Sequence, residues 1–115
     1  MPTAFGAVQR RMNLVLSSKT TADTLRFTVV AAHLNAAHAP EFKAAVEAAR
    51  WSGVTQVEID LGAVEFVDSS GVGALLSVVR KRPPHQLPTR LMHVKPKVLA
   101  VLELMCLRPV FDWEG

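Results

Sequence analysis

A chain of 115 residues, half of them hydrophobic and a fifth charged, is sized for one compact domain (residues 1–115) with a real core, which excludes disorder as its main state. A single cysteine excludes an internal disulfide and fits a reducing compartment, and the net charge is only +3 but unevenly placed. No apolar run approaches the roughly 18 residues of a membrane span, and "MPTAFGAVQRRMNLVL" lacks the apolar segment of a secretory leader, so a soluble cytoplasmic domain without membrane insertion is expected.

Residues 1–12 carry no periodic pattern and are expected to be a disordered N-terminal extension. "NLVL" (Asn13–Leu16) predicts a short strand, "SSKTTAD" a turn, and "TLRFTVV" a second strand with Leu25, Phe27 and Val29 on one face, together an antiparallel hairpin with a long loop. The period then changes. Phe42, Ala45, Val46 and Ala49 line one helical face, with Pro40 in the first turn and Gly53 as the stop. "VTQVEIDLGAVEFVD" returns to alternation, with Val57, Ile59 and Leu61 inward and Glu58 and Asp60 outward, which predicts a sheet covered by helices on one face only.

From Ser70 the helical period resumes through Val72, Leu75, Leu76 and Val79 and ends at Pro83 and Pro84. "TRLMHV" predicts a strand. "KPKVLAVLELMCLRP" predicts a last helix with Val98, Val101, Leu102 and Met105 inward, Cys106 packed beside Met105 and Leu107, and Pro109 as the stop. The order β-β-α-β-α-β-α is that of a two-layer α/β sandwich.

Chemistry concentrates in "EFVDSSGVGALLSVV", Glu65–Val79, where adjacent hydroxyls stand between a carboxylate and two glycines at a strand-to-helix passage. The spacing is not Gly-x-Ser-x-Gly, the third glycine of a dinucleotide loop is replaced by Leu76, and no Gly-Lys-Ser/Thr closes a phosphate loop. His33, His38, His85 and His93 have no metal-ligand spacing with one another or with Cys106, so neither metal nor cofactor is expected. Asp68 and the serines are good helix caps, because their oxygens accept the unpaired first N–H groups. One cap suffices, however. Glycines at 71 and 73 each cost a helix about 1 kcal/mol against alanine, and a helix start tolerates added anionic charge. Local chemistry therefore allows both a cap and a phosphorylation switch.

Three segments, "AAHLNAAHAPEFKAAVEAA", "VEIDLGAVEFVDSSGVGALLSVV" and "KPKVLAVLELMCL", together resemble a STAS domain of the anti-sigma-factor antagonist kind from Leu25 onward. The resemblance implies a mixed β-sheet with helices packed on one face and a binding module, not an enzyme. It implies Ser69 as the phosphoacceptor, with Ser70 the second choice. Partner contacts would come from Asn35, Asp68, Ser70, Gly71, Val72 and Gly73, Asn35 standing where relatives often carry aspartate. The implied partners are a serine kinase that is also an anti-sigma factor, and a phosphatase that restores binding; a monomer or weak dimer is expected.

Arg80, Lys81, Arg82, Arg90, Lys95 and Lys97 form a stretch without an acidic residue, readable as a patch for an acidic partner or as a solvated helix end. No aromatic residue interleaves it, and direct nucleic-acid binding is not expected. The stretch motivates an alternative, a STAS subunit of another assembly such as a phospholipid-transport ATPase complex.

Overall fold

The computed structural model describes residues 16–81 and 87–113. Strands β1 (Leu16–Thr21) and β2 (Thr24–Val29) are followed by the two-residue strand β3 (His33–Leu34) and helix α1 (Ala39–Ala48). Strand β4 (Gln56–Asp60), the short β5 (Phe66–Val67) and helix α2 (Ser69–Lys81) come next. Strand β6 (Arg90–Met92), helix α3 (Pro96–Leu104), a 3-10 turn (Arg108–Val110) and β7 (Asp112–Trp113) complete the order. The main sheet runs β1-β2-β4-β6-β7, antiparallel between β1 and β2 and parallel elsewhere. Strands β3 and β5 form a separate parallel pair.

The alternation read in β2 and β4 sets which side of the sheet is dry. Leu25, Phe27 and Val29 from β2, Val57 and Ile59 from β4, and Leu91 from β6 are buried in the core. The helices close that core with Phe42 and Val46 from α1, Val72, Leu75 and Val78 from α2, and Val98 and Leu102 from α3. Each such side chain contributes on the order of 1.5–3 kcal/mol by leaving water. Helices thus pack on one face of a mixed sheet, as expected.

The other face is wet and carries a charged row fixed by the register. Lys19 stands opposite Arg26, Arg26 opposite Glu58, Glu58 opposite Arg90, and Arg90 opposite Asp112. Glu58 accepts from Arg26 at 3.1 Å and lies 3.9 Å from Arg90, which itself reaches Asp112 at 3.1 Å.

Three expectations change, and others fall outside the described residues. The hairpin turn is the two residues Ala22 and Asp23, and "SSKTT" is strand: Thr21 pairs with Thr24, and the polar side chains suit an exposed sheet edge. Asn13–Val15, most of the expected first strand, lie outside the described residues, as do residues 1–12, Pro83 and Pro84. Helix α2 rotates its apolar face toward Ala74 and Val78, which are fully buried, while Leu76 and Val79 are only partly so. Small residues at 71 and 74 let this helix approach more closely than the larger apolar side chains alone would suggest. Finally, α3 ends at Leu104, not at Pro109. Met105 is 44% exposed, and Cys106 is exposed with φ 58°. The N–H groups of Cys106 and Leu107 turn back to Glu103 and Leu102, a helix-ending pattern that takes Cys106 out of the packing expected of it.

The basic stretch also disperses. Lys81 pairs with Glu47 at 3.0 Å, Arg90 joins the charged row, and Lys95 reaches Glu65 at 2.7 Å. These cations sit on a helix end, the open sheet face and the start of α3, so sequence proximity does not make one patch of them.

Candidate functional site

The site is built by the β3–β5 pair. Leu34 is in register with Val67, so the chain leaves both strands at neighbouring positions, through Asn35 toward α1 and through Asp68 toward α2. Two backbone bonds reinforce the pair: Phe66 N–H donates to Ala32 O at 3.2 Å and Asp68 N–H to Leu34 O at 3.3 Å. Residues 33 apart in sequence are thereby placed on one edge.

At the second passage Asp68 is the cap. Its Oδ1 accepts from Gly71 N–H at 2.9 Å, and its carbonyl accepts the first helical bond from Val72 N–H at 2.9 Å. Ser69 and Ser70 therefore occupy the first two helical positions. Ser69 is exposed and Ser70 half-buried, and no bond from the Ser69 hydroxyl is formed among the described residues. The cap that local chemistry assigned to either group belongs to the aspartate, which leaves the Ser69 hydroxyl unoccupied by the fold.

The two glycines beyond have opposite surroundings. A Cβ on Gly71 would stand 2.0 Å from Leu34 O and 2.6 Å from Val67 Cγ2. The helix start is therefore pressed directly against the β3 backbone. A Cβ on Gly73 would meet nothing within 4 Å. Val72 is 1% exposed and points into the core, so it offers no side-chain surface for docking. Its apolar neighbours hold α2 in place beneath the site. Gly71 is likewise buried, and its part is to permit the close approach.

At the first passage Asn35 is half-buried and engaged locally. Its Oδ1 accepts from Ala37 N–H at 3.0 Å, and its carbonyl accepts from His38 and Ala39 N–H at 3.0 and 2.8 Å. Asparagine thus shapes the loop as an Asx turn, a role aspartate would fill with an added charge. Between the two helix starts lies a shallow groove of about 380 Å³ lined by Ala36, Ala39, Pro40, Lys43, Ser70 and Gly73.

The sequence reading missed Phe66. It is 51% exposed, two residues before Asp68, and stacks edge-on against His33 with ring centroids 6.0 Å apart. Alternation from buried Val67 puts Phe66 outward, which was the available signal; its position inside an apolar run concealed it. Beside it, the Glu65 carboxyl is held below its usual range, chiefly by the hydrogen bond and charge of Lys95.

Among the described residues no group of three histidine, cysteine or acidic side chains could hold a metal ion, and no helix is long and apolar enough to cross a membrane. His85 lies outside the described residues.

No curated protein matches the chain in sequence. Among solved structures, an anti-sigma factor antagonist from Mycobacterium paratuberculosis is similar with a TM-score of 0.76 and 20% identity, over 87% of this chain and 84% of that one. The Bacillus cell fate determinant SpoIIAA in its phosphorylated form is similar with a TM-score of 0.57 and 22% identity, over 87% and 91%. The murine Slc26a9 anion transporter contains a similar region, with a TM-score of 0.65 and 14% identity, over 89% of this chain and 20% of that one. At these identities the likeness is one of fold. The family model described as "Mlab, STAS domain" matches residues 10–108, nearly the whole chain, and with the β3–β5 junction and the one-sided helix layer it establishes that this chain belongs to the STAS domain family.

Proposed function

We propose that the chain is an anti-sigma-factor antagonist, a protein-binding module switched by phosphorylation of Ser69. Its partner in this reading is a serine kinase that also acts as the anti-sigma factor, bound by the unphosphorylated form and released by the phosphorylated one, with a phosphatase resetting the switch. The observation that carries the reading is the exposed Ser69 hydroxyl, left free at the first turn of α2 because Asp68 supplies the cap. The fold likeness to a STAS protein known in a phosphorylated form supports it.

A phosphate there adds about −1.5 to −2 charges at neutral pH. The helix start accepts this charge, through its free N–H groups and dipole, so the domain stays folded. A docked partner does not accept it so easily. It meets added bulk, a dianion to desolvate, and the neighbouring Asp68 carboxylate. A change of about 2.8 kcal/mol, about a hundredfold in affinity, suffices to change partner. Gly73, Ser70 and the groove beside Pro40 and Lys43 give such a partner backbone-level access.

The test is a comparison of Ser69→Asp and Ser69→Ala in cells of the source. Ser69→Ala retains a co-purifying serine kinase and Ser69→Asp loses it. Equal recovery with both variants removes Ser69 from the interface.

A second reading is a STAS subunit of a transport assembly such as a phospholipid-transport ATPase complex. It is favoured by the matching family model, described as "Mlab, STAS domain", and by the recurrence of the fold within an anion transporter. Co-purification of a transporter ATPase in place of a kinase selects it.

A further inference from the structure

We infer that the groove between β1 and β2 on the open face of the sheet binds a phosphate group, held by Lys19 and Arg26 with the hydroxyls of Thr21 and Thr24. The charged row across that face alternates in sign from Arg26 through Glu58 and Arg90 to Asp112. At β1 the alternation breaks. The register sets Lys19 directly opposite Arg26, where like charges on neighbouring strands repel. Glu58 offsets the Arg26 charge only in part, because it is shared with Arg90. Lys19 has no charged partner among the described residues, and Glu58 already lies between two guanidinium groups.

The same place is hollow. A groove of about 470 Å³ is lined by Lys19, Thr21, Ala22, Thr24, Arg26 and Glu58. Arg26 is also pre-oriented: Nε and Nη2 are 3.1 and 3.0 Å from Glu58 Oε1, which pins the planar group at the groove. A guanidinium has five N–H donors and an ammonium three, so both cations keep donors to spare. Two such donor groups with two hydroxyls match a tetrahedral oxyanion, and an anion here restores the alternation. The Glu58 charge does not forbid it, because the carboxylate is 14% exposed and flanked by Arg26 and Arg90. An exposed lysine on an edge strand also guards against strand pairing between molecules. That role accounts for Lys19 alone and leaves unexplained why it faces Arg26 across a groove.

The site is separate from the Ser69 junction and does not depend on that reading. The test is a titration of the whole chain with inorganic phosphate, read by the amide NMR signals of residues 19–26, with sodium chloride replaced to hold ionic strength constant. The expected result is a saturable shift in those signals, weakened about tenfold or more by Lys19→Gln, restored by Lys19→Arg and unaffected by Lys97→Gln. Shifts that fail to saturate, match those given by chloride, or persist in Lys19→Gln overturn the site and leave Lys19 as an edge guard only. A second arm separates two sources of the phosphate. Sedimentation with phosphatidylcholine vesicles containing phosphatidic acid, lost in Lys19→Gln and absent with phosphatidylcholine alone, identifies a lipid headgroup. A saturable response to inorganic phosphate without vesicle binding identifies a soluble phosphate.

Discussion

The passages out of β3 and β5 are neighbours in space and share a plan, yet they are built to different tolerances. Asn35 closes a turn with its own side chain and carbonyl before α1 begins at Ala39. Asp68 caps α2 at once, and Gly71 brings that helix against Leu34 with no room for a methyl group. One passage is a turn held by hydrogen bonds. The other is a rigid mount with an exposed hydroxyl at its tip. The fold thus spends its closest packing on the helix start that carries Ser69, while the Asn35 passage is held by hydrogen bonds and leaves room beside its backbone.

The largest expected effect breaks the rigid passage. Gly71→Ala drives a methyl group into Leu34 O and Val67, and is expected to destabilise the domain by about 3 kcal/mol, at the upper end of ordinary overpacking, read as a lower denaturation midpoint. Gly73→Ala, two residues on, is expected to do the reverse. With nothing within 4 Å, it stabilises by up to about 1 kcal/mol while weakening partner binding, because the open backbone is covered. If both alanines destabilise equally, the contrast between the two glycines is wrong.

Removing the caps sharpens the same comparison at smaller scale. Asp68→Ala is expected to cost about 1 kcal/mol by urea denaturation, and Asn35→Ala less, since backbone carbonyls carry most of the first turn of α1. Ser69→Asp is expected to leave stability unchanged or raise it by about 0.3–1 kcal/mol, so any loss of partner binding is not a loss of fold. The smallest effect is electrostatic. The Glu65 carboxyl is depressed in the folded state by Lys95, so its contribution is present above the unfolded-state value and fades as pH falls through the folded one. Lys95→Ala should therefore lower stability slightly at neutral pH and not at all once Glu65 is protonated. A pH-independent difference would assign the change to packing instead.

Most of this architecture was legible because alternation and helical period are strong signals. Leu25, Phe27 and Val29, and then Val57 and Ile59, announced a sheet with one dry face, and the structure buries all five. What escaped depended on partners distant in sequence. Two-residue strands such as β3, β5 and β7 have no period of their own and exist only through register with one another or with β6. The end of α3 hinged on residues 106 and 107 turning back, which the apolar run "LELMCL" disguised as more helix. At the candidate site, "DSSG" marked the strand-to-helix passage, but sequence alone could not divide its oxygens between capping and solvent. Nor could it show that Val72 turns inward while Phe66 turns out. Part of the basic stretch dissolved for the opposite reason: Lys81, Arg90 and Lys95 lie near one another in sequence, but their acidic partners Glu47, Glu58, Glu65 and Asp112 lay elsewhere in the fold, while Arg82 lies outside the described residues.

In the proposed switch, the hydroxyl released by the Asp68 cap is the one a kinase uses. Intact mass and site mapping of the protein isolated from its own cells test it most directly. The result predicted is a population carrying one phosphate, located on Ser69. Phosphate on Ser70 or Ser77 instead, or a single unmodified mass under every growth condition tried, contradicts it.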